Sequence, residues 1–152
     1  MVFWATEIDY AFLEGEGQIL LTILVEKCGV NNNTLKEKVI EILKTISNSS
    51  ELFPINKTTR LLMRGLTSKN SKTKAEVLHV IDHMIEEHQM ETISEKDIKT
   101  ILKLADEKDQ HVRTNALDTS AIIYKFMGQD MMVIAKKACT PKGLDLITSR
   151  LK

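Results

Sequence analysis

The sequence predicts an all-α protein, an α-solenoid of about four stacked helical hairpins. Three observations carry this. The apolar residues recur every three to four positions along nearly the whole chain. No stretch alternates with period two for long enough to make a strand. Only two Pro and six Gly punctuate 152 residues, too few for the many turns of a sandwich or barrel.

Each predicted helix has its own stripe. Ile19, Leu20, Ile23, Leu24 and Cys28 mark the first, and Leu35, Val39, Ile42, Leu43 and Ile46 the second. Val77 to Ile85, Ile98 to Ala105 and Val112 to Phe126 continue the pattern. Asn33, Ser71 and Asp109 are predicted N-caps, because their side-chain oxygens can accept from free first-turn N–H groups. Ser94 with Asp97 reads as a capping box, and Thr140 before Pro141 as a cap followed by proline at the first helical position. Gly29, Gly65 and Gly128 fall where helices should end. The predicted helices are 16–28, 34–47, 57–66, 72–88, 95–105, 110–127, 129–138 and 141–151.

The helices come in pairs that repeat. Thr73 lies 38 residues after Leu35, and Val112 lies 39 after Thr73. At the same offsets Cys28 aligns with Leu66 and Ala105, and Val39 with Val77 and Ala116. A basic residue follows each anchor: Lys36, Lys74, Arg113. A period near 38–39 with a short polar turn inside each pair is the mark of HEAT-type hairpins. The expected organisation is one domain over 1–152, with pairs at 15–47, 57–88, 95–127 and 129–152 and a remnant of a preceding repeat at 1–14.

Composition narrows the function. Lys plus Arg and Asp plus Glu are 21 each, so the net charge is zero and no bulk affinity for nucleic acid or membrane is expected. No apolar run is long enough to span a bilayer. Met1 to Gly17 holds no Lys or Arg and four acidic residues, so no secretory leader is expected. Cys28 and Cys139 are isolated, as in a reducing compartment, where they serve as small hydrophobes. No nucleophile motif, phosphate cradle or cofactor box is present, so no catalysis and no cofactor are expected. His79 and His83, four apart, resemble a metal pair. Read against the inward face of Val77, Val80, Ile81 and Met84, they and Asp82 point to solvent, and no metal is expected.

In a stacked hairpin array the intra-pair turns emerge on one edge. Here they carry Asn31 to Asn33, Lys69 with Asn70, and Lys108, and the helix starts that follow add Lys36, Lys38, Lys72, Lys74 and Arg113. A line of basic and amide groups fits an acidic, flat partner surface. A structural role competes for some of these residues: Arg113 could pair with Asp106 in an inter-repeat ladder, and Lys36 and Lys74 share that alternative.

The segment Gly65–Val77 (GLTSKNSKTKAEV) resembles a turn of TOG domains, the tubulin-binding HEAT arrays of the microtubule-polymerase family. Asp106–Leu117 (DEKDQHVRTNAL) resembles the next turn, Phe126–Lys152 the closing pair, and Asp9–Gly29 the entry to the third pair. The resemblance covers 9–152 and is closest to later TOG domains. Such a domain has six pairs, of which the last four are found here; Trp4 does not replace the family's first-turn Trp. The resemblance implies a non-catalytic αβ-tubulin-binding module in the cytoplasm, on the cytoskeleton at microtubules, spindle or centrosome. It implies contacts from Lys69, Asn70, Lys72 and Lys74 in the fourth-pair turn and from Lys108, Arg113 and Asn115 in the fifth. Asn32, Asn33 and Lys36 follow in the third by repeat position alone. The alternative is a HEAT-type adaptor for another protein or an acidic peptide. Self-association through the aromatic leader around Phe3 and Trp4 is a further expectation.

Overall fold

In the computed structural model, residues 10–29, 31–48, 55–90 and 93–151 are described. Among the described residues the elements are helices and one short 3₁₀ turn, in the order α1 (Tyr10–Lys27), α2 (Asn33–Asn48), α3 (Ile55–Gly65), α4 (Ser71–His88), α5 (Glu95–Lys103), the 3₁₀ turn (Leu104–Asp106), α6 (Gln110–Met127), α7 (Gln129–Ala138) and α8 (Pro141–Leu151). The all-α solenoid expected from the periodicity is the fold observed. Phe3 and Trp4, to which self-association was assigned, lie outside the described residues.

The pairs stack as layers. The second helix of each pair forms a continuous row, α2 on α4, α4 on α6, α6 on α8, with α4 against α6 the most extensive pairing. The first helices pack as α1 on α3 and α5 on α7. One core runs through the stack, including Leu21, Leu43, Leu62, Leu78, Ile101 and Ile147. The centre of that core is α4. Thr73, Ala75, Val77, Leu78, Val80, Ile81, Met84 and Ile85 are all buried, because α2, α3 and α6 cover it on several sides. Burial of this kind contributes roughly 1.5–3 kcal/mol for each large aliphatic side chain.

Helix starts obey local chemistry, with two shifts from expectation. Asp109 caps α6, accepting from His111 N at 2.9 Å and Val112 N at 3.1 Å. Ser94 and Asp97 form the reciprocal capping box of α5. Thr140 Oγ1 accepts from Gly143 N at 3.1 Å. The other two caps sit one residue earlier than predicted. Asn70, not Ser71, caps α4 through Lys72 N, and Asn32, not Asn33, accepts from Leu35 N. Each position offers adjacent capping residues, and the amide oxygen placed to reach back to the first-turn N–H groups wins. The start of α1 also differs, since Tyr10 to Glu14 continue the helix expected to open near Gly15–Gly17.

The predicted stripes are not wholly buried. Ile19, Leu20 and Ile23 of α1 and Leu35 and Ile42 of α2 are exposed, as is Phe126 of α6. In the first layer, α1 and α2 pack inward on the second pair, and the opposite side of the same stripe faces out.

Candidate functional site: the edge of intra-pair turns

The intra-pair turns lie along one edge, and a chain of contacts links them. The first turn packs on the second at Gly29. A Cβ there would come within 2.3 Å of Thr73 Oγ1 and 2.7 Å of Asn70 Nδ2, so only glycine permits this approach. Lys72 Nζ donates to Asn31 Oδ1 across the same junction. The second turn region reaches the third through Lys74 Nζ, 3.7 Å from Glu107 Oε2. The third reaches the fourth through Asp106, which accepts from Thr140 Oγ1 at 3.0 Å and pairs with Lys142 Nζ at 3.5 Å.

The ten residues anticipated for this edge divide by environment. Asn32, Asn33, Lys69, Asn70, Lys72 and Lys108 are exposed on the turns and first helical positions. Lys36 is half-buried instead, its ammonium 3.3 Å from Glu76 Oε1. Lys74 is only 17% exposed at its side chain, and its partner Glu107 31%. Arg113 does not pair with Asp106. Its Nη1 donates to the carbonyls of Glu107 at 3.1 Å and Lys108 at 3.4 Å, closing the third turn from within. The Asp–Arg ladder considered for these two residues is therefore replaced by two separate arrangements. Guanidinium geometry suits carbonyls converging in a tight turn, while Asp106 faces the fourth layer. Asn115 is turned inward, its Nδ2 donating to Ala75 O at 2.9 Å and lying 3.2 Å from His79 Nε2.

Three edge residues did not stand out in the sequence. Glu76 and Glu107 neutralise Lys36 and Lys74, and no linear spacing marks a partner some 30–40 residues away. Lys142 occupies the second position of α8, as Lys72 does in α4, and that shared offset is the signal that could have found it. Away from the edge, Asp82 corrects the outward reading. It is largely buried against α6, its Oδ1 2.5 Å from Thr119 Oγ1, because α6 covers a flank that a single helical wheel assigns to solvent. Burial pushes its carboxyl up to about 7; the Thr119 hydrogen bond opposes this, Asp118 and Glu86 add to it, and Lys44 opposes it. Burial, with Glu76 adding to it, pushes the Cys28 thiol up to about 12, so it offers no thiolate nucleophile at neutral pH. Among the described residues no group of three or more His, Cys, Asp or Glu is arranged to hold a metal, and no helix is long and apolar enough to cross a membrane.

Chemically, the edge presents exposed ammonium and amide groups, which can donate hydrogen bonds to acidic groups. Residues 10–140 match the family model of the XMAP215/Dis1/CLASP TOG domain. The chain is 32% identical over 124 residues to Protein MOR1 of Oryza sativa subsp. japonica, covering 81% of this chain and 6% of that protein. It is also 32% identical over 145 residues to Protein MOR1 of Arabidopsis thaliana, covering 95% and 7%. A solved chain, from work on how TOG–tubulin binding specificity promotes microtubule dynamics and mitotic spindle formation, superposes with a TM-score of 0.79 at 23% identity, covering 87% of this chain and 49% of that one. The chain thus spans a small fraction of its full-length relatives and about half of the solved one. With the family model matching residues 10–140, most of its length, the chain belongs to the XMAP215/Dis1/CLASP TOG-domain family.

Proposed function

We propose that the chain is a non-catalytic tubulin-binding module that regulates microtubule growth by docking its turn edge on αβ-tubulin. Family membership and the tubulin work on the solved neighbour support the partner. The observation that carries the reading is the edge itself, where Lys69, Lys72, Lys108 and Lys142 stand exposed on three of the four turns that contacts hold in a row. Lysines at fixed spacing on a neutral protein complement an acidic surface and speed encounter with it. In this reading Asn32, Asn33, Lys69, Asn70, Lys72 and Lys108 touch tubulin, and Lys142 extends the row. Lys36, Lys74, Arg113 and Asn115 act beneath them. The proposed location is the cytoplasmic cytoskeleton, and in a parent with repeated domains of this kind, linkage would raise the local tubulin concentration.

The test is co-elution with purified αβ-tubulin on a sizing column at low and high salt. The wild-type chain co-elutes at low salt and less at high salt, while Lys69→Glu with Lys72→Glu abolishes the complex without lowering Tm. Binding that survives this double reversal would remove the edge from the mechanism. A chain that ignores tubulin but retains an acidic peptide would favour the adaptor reading.

A further inference from the structure

Each junction between successive layers carries one ion pair beside its turns: Lys36–Glu76, Lys74–Glu107 and Lys142–Asp106. The first two are half-buried, with side-chain exposures of 26% and 21% in one and 17% and 31% in the other. Both lysines leave the first turn of a second helix and cross to the next layer, in which Glu76 sits early in α4 and Glu107 just before α6. A lysine held this way has spent its charge inside the protein. It contributes little to the field an outside partner meets, but it fixes how far one turn stands from the next.

We propose that Glu76 and Glu107 are positioning residues for partner binding: with Lys36 and Lys74 they set the spacing between successive turns, so that the exposed lysines meet an acidic surface in register. The inference rests on the tubulin-edge reading and deepens it. Neither pair member touches the partner. Their effect passes through Asn70, Lys72 and Lys108, whose turns they brace. Gly29, pressed against Thr73 and Asn70, supports the same spacing from the first turn.

The sign of one substitution separates this from simple charge attraction. Glu107→Gln makes the edge one charge more positive and releases Lys74. If net charge or direct contact by Lys74 governed affinity, purified αβ-tubulin would bind this variant more tightly. If spacing governs, binding weakens, by roughly threefold to fivefold, which is the scale of one partly exposed ion pair. The charge-swapped double variant Lys74→Glu with Glu107→Lys re-forms the pair with its polarity reversed, and affinity returns toward the wild-type value. Titration of each variant against αβ-tubulin by fluorescence anisotropy reads this out, with Lys69→Glu as the contact control and circular dichroism to verify the fold. Should Glu107→Gln fail to fold, Glu76→Gln makes the same measurement at the neighbouring junction. Weakening with Glu107→Gln and recovery with the swap support the inference. Unchanged or tighter binding with Glu107→Gln, or no recovery in the swap, overturns it while leaving the edge reading intact if Lys69→Glu still loses affinity. If Lys69→Glu is also without effect, the edge reading fails and the positioning role falls with it.

Discussion

The Thr119 hydroxyl oxygen lies 2.5 Å from Asp82 Oδ1 and 2.9 Å from the carbonyl oxygen of Asn115. One hydroxyl proton cannot serve both acceptors. The hydroxyl donates to Asp82 Oδ1, with the Asn115 carbonyl as its alternative acceptor. This hydrogen bond joins α4 to α6 at the most extensive helix contact among the described residues. Burial disfavours the Asp82 carboxylate and raises its pKa, and the bond donated by Thr119 opposes that rise without cancelling it.

A pH dependence of stability follows from the burial of Asp82 at this seam. The folded-state pKa of Asp82 is raised from 3.8 to about 7, so the folded chain holds a proton that the unfolded chain has released. The stabilisation is complete below the unfolded pKa and is lost as pH rises through the folded one. Thermal unfolding should show a Tm lower by roughly 5 °C at about pH 8 than at about pH 5. Glu86 on α4, Lys44 from α2, and Asp118 with its partner Arg150 also carry charge around this seam. The decisive comparison is therefore with Asp82→Asn, in which this part of the slope disappears. An equal slope in both proteins would show that Asp82 is ionised throughout.

Two glycines should fail for different reasons. At Gly65 an added Cβ would meet Val25 Cγ1 at 2.7 Å and Val77 Cγ2 at 2.8 Å, both in the packed core. Gly65→Ala is expected to cost about 1–3 kcal/mol through overpacking, and Val77→Ala should recover part of it in the double variant. Gly128 has open space around its Cβ position but a φ of +62° with a ψ of −136°, outside the left-handed helical well that asparagine tolerates, so Gly128→Ala and Gly128→Asn should each cost about 1–3 kcal/mol through backbone strain. Urea denaturation of the four variants measures both effects.

Asn70 has two duties that substitution can separate. As the N-cap of α4 it accepts from Lys72 N at 3.0 Å, and it also lies exposed on the second turn. Asn70→Ala should lower stability by about 1 kcal/mol through the lost cap. Asn70→Asp keeps the capping oxygen, so its Tm should stay close to wild type, yet it puts a negative charge among the lysines and should weaken tubulin binding. Calorimetry and co-elution on the two variants give opposite rankings if the edge reading is right.

The core is expected to respond as a single packed unit. Leu78 is 0% exposed in the helix against which α1, α2, α3 and α6 all pack. Leu78→Ala should cost about 2–5 kcal/mol, with the cavity left behind adding to the lost transfer energy. Leu144→Ala, half-buried in the last layer, should cost less. A reversed order in chemical denaturation would place the stability centre elsewhere.

Much of the architecture was legible in the sequence because its causes are local or periodic. Asp109, Ser94 and Thr140 cap the helices that their side-chain chemistry announced, since a cap needs only the next few N–H groups. The alignment of Leu35, Thr73 and Val112 predicted layers, because similar hairpins repeat a similar stripe, although only Thr73 and Val112 are buried and Leu35, in the first layer, is exposed. The two misplaced caps arose in the runs Asn31–Asn33 and Asn70–Ser71, where neighbouring residues are chemically equivalent and geometry alone chooses.

The site was legible only in outline. The repeat placed Lys36, Lys69, Lys74 and Lys108 near the turns, but their exposure depends on what faces them across a layer. Glu76 and Glu107 take up Lys36 and Lys74, while Lys69 and Lys108 remain on the surface. Asp82 likewise reads as solvated on a helical wheel of α4 and is half-buried once α6 is laid beside it.

The sequence by itself revealed the helices, their pairing and their order, because periodicity, capping and repeat length act over distances the chain spells out, while the family showed in the resemblance of the turn segments Gly65–Val77 and Asp106–Leu117. Which lysines are offered outward, which are neutralised between layers, and which carboxylate has its pKa raised by burial were decided only by the stacking of α2, α4, α6 and α8. Those properties depend on the charge and water excluded by residues about 30–40 positions away, and such neighbours exist only once the hairpins are packed.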